Sequence, residues 1–309
     1  MNLPGLHHVT AIASDARRNV DFYTRVLGLR LVKKTVNFDD PGTYHFYYGD
    51  GAGSPGSILT FFPWSGLTRG RPGTGQANAT AFSVSRDALP FWRERFARLG
   101  VATKGESRRF DDEVLAFEDP DGLPLELVAT NEPDARVPWT RDDIPAGAGL
   151  RGFHHVTLAL RQAAPTERLL VETMGFRLLR AEGGRRRFTT GAGGPGTYVD
   201  LLVDRTVPSG LQGAGTVHHI AFRTPDRATQ DADRRSLLDA GFNVSAVRYR
   251  NYFESIYYRE PEGILFEIAT DPPGFAIDEA PDALGTALKL PAQYEPHRAQ
   301  IEASLPVLT

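Results

Sequence analysis

Gly5-Leu-His-His-Val-Thr10 returns as Gly152-Phe-His-His-Val-Thr157, 147 residues further along the chain. At the same offset Gly28, in Val-Leu-Gly-Leu-Arg-Leu, meets Gly175, in Thr-Met-Gly-Phe-Arg-Leu. A second pair lies at an offset of 141: Val114-Leu-Ala-Phe-Glu-Asp-Pro-Asp-Gly-Leu-Pro-Leu-Glu-Leu-Val-Ala129 against Ser255-Ile-Tyr-Tyr-Arg-Glu-Pro-Glu-Gly-Ile-Leu-Phe-Glu-Ile-Ala-Thr270. There Pro120 meets Pro261, Gly122 meets Gly263 and Glu126 meets Glu267. Two such matches make the halves duplicates, and a repeat of this kind governs every later assignment.

Each half divides again. The pattern predicts short first strands over His8–Ala13, Thr80–Val84, His155–Leu160 and His219–Arg223. A helical segment follows each, ending at a glycine suited to a helix C-terminus: Gly28, Gly100, Gly175 and Gly241. Alternating apolar strands then close each unit, with hairpin turns at Asp119-Pro-Asp-Gly122 and Glu260-Pro-Glu-Gly263. The fold class expected is α+β, with four βαβββ modules in two tandem domains forming open barrels. The domains are placed at 1–130 and 150–272. A proline-bearing linker at 131–149 joins them, and a tail at 273–309 follows, with a short helix expected within His297–Leu305.

Composition narrows the function. A chain of 309 residues suits two domains. A net charge of −3 gives no basic field for nucleic acid. The basic run Arg185-Arg186-Arg187 reads as an exposed hairpin end rather than a phosphate site. Gly191-Ala-Gly-Gly-Pro-Gly196 runs into the strand-like Thr197–Val203, not a helix, so it reads as a turn and not a phosphate loop. No apolar run approaches the roughly 20 residues of a membrane span. With no signal-like N-terminus, a cytoplasmic protein is expected, and a homo-oligomer is compatible with the composition. Cysteine is absent, so any metal rests on His, Asp, Glu or Tyr.

The repeats distribute those residues unevenly. A first-strand histidine stands at His8, His155 and His219 in modules one, three and four, and module two has none in Asn78-Ala-Thr80. A last-strand glutamate stands at Glu126 and Glu267; module one has no carboxylate there and module three has Asp200. Module four alone supplies both, so a two-His, one-Glu site is built most simply around His219 and Glu267. The third ligand is His8 if modules one and four share a cup, or His155 if three and four do. Two imidazoles and a carboxylate on one face leave positions open for substrate and O2, the arrangement of non-haem Fe(II) oxygenases. A carboxylate inside Ile264-Leu-Phe-Glu-Ile-Ala269 is hard to explain as packing. Glu126 with a histidine reads as an incomplete copy with a structural role. Tyr257 is expected across a hairpin from Glu267, as an acid/base or a hydrogen-bond donor. Arg250, in Arg248-Tyr-Arg-Asn-Tyr-Phe253, is placed at the pocket mouth.

The four modules, with Leu6-His-His-Val-Thr10, Val217-His-His-Ile-Ala-Phe222 and Leu265-Phe-Glu-Ile268, resemble the vicinal oxygen chelate superfamily. Within it the chain is similar to the ring-cleaving hydroquinone 1,2-dioxygenase branch, nearly end to end. Leu29-Arg-Leu-Val-Lys-Lys34, Asn251-Tyr-Phe-Glu-Ser-Ile-Tyr257 and the tail Gly285–Leu290 are part of that likeness. The resemblance implies Fe(II), with Mn(II) admitted, bound by His8, His219 and Glu267. It also implies supporting roles for His7, Thr10, His218, Arg250 and Tyr257, and a small aromatic substrate opened by O2 beside a hydroxyl. His154-His155 departs from the branch and resembles the first-ligand pattern of catechol extradiol enzymes. The alternatives on this fold are a glyoxalase-type isomerase or lyase, which usually wants a second carboxylate, and a metal-free binder of aromatic ligands.

Overall fold

The computed structural model describes residues 1–308. Module one consists of β1 (Leu6–Ala13), α1 (Ala16–Asp21) continued by a π-helical turn over Phe22–Val26, β2 (Arg30–Asn37), β3 (Asp40–Gly49) and β4 (Ile58–Pro63). Module two has β5 (Gln76–Val84), α2 (Leu89–Leu99), β6 (Thr103–Arg109), β7 (Asp112–Glu118) and β8 (Pro124–Ala129). Module three has β9 (Phe153–Leu160), α3 (Ala164–Arg168), β10 (Arg177–Glu182), β11 (Arg185–Thr189) and β12 (Tyr198–Val203). Module four has β13 (Thr216–Thr224), α4 (Arg227–Asp239), a two-residue β14 (Arg248–Tyr249), β15 (Glu254–Arg259) and β16 (Leu265–Thr270). A short α5 (Arg298–Ser304) ends the chain's regular structure, and its Ile301 packs with Leu305, Leu290 and Val36.

The modules pair across the duplication. One eight-stranded sheet has the order β14-β15-β16-β13-β1-β4-β3-β2, and the other β10-β11-β12-β9-β5-β8-β7-β6. Modules one and four therefore build the first cup, and modules two and three the second. The seam in each is an antiparallel pair of first strands, β1 with β13 and β9 with β5. This pairing also extends the first strands beyond their apolar cores, as in β5, which begins at Gln76.

Every residue of β1 is buried, so hydrophobicity alone does not separate its faces. The chemistry does, because strand side chains alternate with period two. Val9, Ala11 and Ala13 join Tyr23, Phe61 and Tyr48 in the main core, which also takes in Phe82, Phe153 and Leu127 of the second cup. His8 and Thr10 take the other face. Burial of each large apolar side chain in that shared core is worth roughly 1.5–3 kcal/mol, which holds the cups against one another.

The two acidic hairpin turns also tie modules together. Asp121 accepts from Ser14 N and Arg18, and Asp119 accepts from the Tyr23 hydroxyl. Glu262 accepts from the backbone of Arg161 and Gln162, and Glu260 from Thr166. The turns are sharp enough to require positive φ at Gly122 and Gly263. No helix is long and apolar enough to cross a membrane among the described residues.

One expectation is corrected. The hairpin at Gly183-Gly184 is present, but Arg185-Arg186-Arg187 is not an exposed end. Arg187 is 3% exposed and Arg185 is largely covered; only Arg186 reaches solvent. Period-two alternation turns Arg185 and Arg187 into the second cup, where acids await them.

Candidate metal centre

The register of the first cup sets one row of side chains across adjacent strands. His8 on β1 pairs with Ala221 on β13, Ala221 pairs with Glu267 on β16, and Glu267 pairs with Tyr257 on β15. Ala221, small and fully buried, leaves space between His8 and Glu267. His219 is two residues before Ala221 on the same face and reaches back into that space. His8 Nε2 lies 3.1 Å from His219 Nε2 and 3.4 Å from Glu267 Oε2, and His219 Nε2 lies 2.9 Å from the same oxygen. The repeat leaves His8 and His155 open and the resemblance implies His8; the structure brings His8 to the pair and places His155 in the other cup.

Those three atoms are close enough together to donate to a common cation. Glu267 Oε2 is buried with no hydrogen bond aligned on it, despite the two imidazole nitrogens nearby. Its other oxygen, Oε1, accepts from Ser255 Oγ. Burial pushes the Glu267 carboxyl up, but the charges of His8 and His219 outweigh it and hold the group well below the usual carboxylate range. Burial pushes the His219 imidazole down, only partly offset by Glu267. With both imidazoles neutral, a divalent cation at the shared point would accept one lone pair from each of the three atoms in this dry pocket. The donor set fits the metal.

Partners fix the imidazoles. His7 Nδ1 is 2.9 Å from His8 Nδ1, and His218 Nδ1 is 2.8 Å from His219 Nδ1. When the ligand ring is the donor in each pair, its Nε2 keeps a lone pair toward the shared point. Burial, reinforced by the neighbouring ligand histidines, lowers His7 well below its ordinary value and takes His218 down to about 3, so both remain neutral acceptors at neutral pH. Phe253 lies 5.0 Å from His8 and 5.1 Å from His7, ring to ring. Thr10 stands opposite His219 across the β1–β13 seam, and its hydroxyl bonds Thr60 at 2.8 Å on the neighbouring strand.

The donors open onto a cavity of about 560 Å³ walled by Phe62, Trp64, Phe253, Tyr257, His218 and His45. Arg250 and Arg248 stand with Asn37, Phe38 and Asp39 around it. Arg250 Nε donates to the Tyr257 hydroxyl oxygen at 3.3 Å, and its guanidinium meets Asp39 at 3.3 Å. Burial and then Glu267 raise the Tyr257 phenol, against a smaller opposite pull from Arg250, so it stays protonated. His45 and Ser255 are site residues that no motif singles out, whereas Phe253 lies in the segment expected at the pocket mouth. The signal for His45 was its period-two spacing from Tyr47 on one strand. In the structure Tyr47, His45, Thr60 and Thr10 form a continuous hydrogen-bond chain with links of 2.8–2.9 Å.

The second cup repeats the row with different chemistry. His155 pairs with Ala81 and Ala81 with Glu126, as His8, Ala221 and Glu267 do. Ala79 faces Thr157 where His219 faces Thr10, so one imidazole is missing. Asp200 stands where Thr60 stands, and Arg187 where Tyr47 stands. Asp200 takes Arg187 on both oxygens, at 2.8 and 3.0 Å, and Arg185 at 3.0 Å. Arg187 also meets Asp112 at 2.9 Å, and Arg109 binds Glu126. Guanidinium groups hold the remaining carboxylates there.

Two paired βαβββ modules with two imidazoles and one carboxylate on the inner face of their cup define a protein of the metal-binding vicinal oxygen chelate type. The chain belongs to the Glyoxalase/Bleomycin resistance protein/Dioxygenase superfamily, whose profile matches residues 5–127 and 152–268. It is 47% identical to MhqO of Bacillus subtilis, a protein assigned as a ring-cleaving dioxygenase, over 97% of this chain and 95% of that one. It is 34% identical to a chlorohydroquinone/hydroquinone 1,2-dioxygenase of Sphingobium indicum, over 96% of this chain and 95% of the relative. A crystal structure of a Bacillus subtilis protein assigned as a dioxygenase superposes with a TM-score of 0.95 at 45% identity, covering 100% of this chain and 98% of that one.

Proposed function

We propose that the protein is a ring-cleaving dioxygenase that holds one Fe(II) on His8, His219 and Glu267 and opens a substituted hydroquinone or related aromatic diol with O2. The convergence of three buried donors, one of them an unpartnered carboxylate oxygen, at an aromatic-walled cavity carries the reading. The names of full-length relatives support the choice of reaction. Fe(II) at such a site supplies Lewis acidity toward a phenolic oxygen and a redox centre for O2, and the same donors admit Mn(II). Both atoms of O2 enter the ring-opened product and the ring supplies the electrons, so no external reductant is required.

The chain's own groups have defined tasks in this reading. His7 and His218 orient the ligand imidazoles. Phe62, Trp64 and Phe253 enclose the ring and exclude water. Arg250 donates to the Tyr257 oxygen, which leaves the phenolic O–H free to face a substrate oxygen and move a proton there. The isomerase alternative is disfavoured by a specific residue: Thr60 occupies, in this cup, the position that carries Asp200 in the other.

Anaerobic reconstitution with Fe(II), followed by O2 uptake on a panel of hydroquinones and catechols, tests the proposal. One iron per chain and hydroquinone-dependent uptake are expected; iron binding without O2 consumption on any diol would remove the dioxygenase reading. Tyr257→Phe should keep its iron and fold while kcat falls on the order of 10- to 100-fold, the worth of a hydrogen bond to a charged partner. An unchanged kcat would assign the phenol to packing.

A further inference from the structure

β2 is an edge strand of the first cup, and residues after β16 run along it. Phe275 packs against Tyr47 and Tyr252, with ring centroids 5.1 and 5.0 Å away. Lys33, on β2 opposite Tyr47 and fully buried, places its ammonium against the carboxylates of Asp278 and Glu279 and 5.0 Å from the centre of the Tyr252 ring. Asp278 also accepts from the Tyr252 hydroxyl at 3.0 Å. Gly285 comes so close to β2 that a Cβ there would lie 1.8 Å from the Leu31 carbonyl oxygen. Leu288 then bridges to Lys34 in parallel, and Lys289 N donates to Lys34 O at 2.9 Å. Last, the Tyr294 hydroxyl donates to the Phe38 carbonyl at 2.7 Å.

Phe38 belongs to the Asn37–Asp39 turn that lines the cavity, and Asp39 meets Arg250, which holds Tyr257. The strap thus begins at the strand that carries Glu267 and ends on the cavity turn. The second cup has no such cover: β6 and β10, its edge strands, are exposed almost throughout. An edge cover used only for solubility would be wanted equally there.

We propose that the C-terminal strap is a working part of the site, with Tyr294 as a positioning residue: it fixes the 37–39 turn and, through Asp39, the Arg250–Tyr257 pair that meets the substrate. The inference rests on the dioxygenase reading for what enters the cavity, but not for the positioning itself.

Tyr294→Phe removes one hydroxyl and leaves the ring that packs with Leu290 and Ile301. The variant and wild type, both reconstituted with Fe(II), are compared by hydrogen exchange of the 37–40 amides, iron per chain, thermal unfolding, and KM and kcat for hydroquinone and methylhydroquinone. The expected result is exchange at 37–40 faster by about threefold to tenfold, the effect of losing one hydrogen bond. KM should rise by about the same factor and kcat should fall with it, because the Tyr257 phenol is the group being positioned, while iron content and unfolding temperature stay unchanged. Asp39→Asn, which weakens the next link, should raise KM without changing exchange in the strap. Wild-type exchange at 37–40 in Tyr294→Phe, or faster exchange with an unchanged KM, overturns the proposal. Should the wild type consume no O2 with either diol, the activity reading fails, and the exchange result alone decides the positioning role.

Discussion

His219→Ala, Glu267→Ala and His8→Ala are each expected to purify folded, iron-free and inactive, while His155→Ala keeps one iron per chain and its turnover. Each of the first three removes one of only three protein donors at a shared point. Loss of a supporting group around a metal costs on the order of 10–100-fold in affinity, so loss of a ligand should exceed 100-fold. His155 makes no contribution, because β9 pairs with β5 in the other cup. Its Nε2 stands 3.5 Å from Glu126 and 3.6 Å from Asp200, among arginines rather than a second imidazole. Iron analysis and hydroquinone-dependent O2 uptake, with circular dichroism as the check on folding, separate the cases. An iron-free, inactive His155→Ala beside a normal His8→Ala would move the centre to the second cup. Glu126→Gln should likewise leave activity nearly intact.

How far the site could be read before folding depends on the range of the interaction. The modules, their turns and the terminal helix were legible because glycine, proline and apolar spacing act locally. His219 and Glu267 were legible because the duplication exposed which copy carried both. The repeat alone did not choose between His8 and His155, since identical strand positions become different only when β1 pairs with β13, a contact between distant segments that leaves no local signature; only the family resemblance pointed to His8. Arg185 and Arg187 were misread for a related reason. Arginine is rarely buried unless paired, and the pairing acids, Asp200 and Asp112, come from another strand of the same module and from another module. His45 was overlooked because its strand has no matching histidine in the other modules. The strap's path along β2 depends on Lys33, whose buried charge makes sense only with Asp278 and Glu279 alongside.

The second cup yields the other large effect. Asp200→Ala is expected to destabilise the protein by about 3–5 kcal/mol, the cost of breaking a buried ion pair and leaving charge without a partner. One carboxylate there holds two guanidiniums, and its own exposure is zero. Removing it leaves Arg185 and Arg187 facing each other beside Arg109, with Asp112 and Glu126 the remaining acids. Both cups share one apolar core, so the loss should appear in global unfolding, as a Tm lowered by roughly 5–15 °C. Below that transition the iron content and KM should match the wild type, because no residue of this cup lines the cavity. The triple change Asp200→Ala, Arg185→Met and Arg187→Met should recover part of the stability, since apolar replacement of buried charges that pair with one another is often neutral, although Asp112 loses its Arg187 partner. This pattern would identify the arginines as the counter-charges that hold the carboxylates of this cup. A wild-type protein with two metals per chain, or an Asp200→Ala variant that unfolds normally but loses iron, would contradict it.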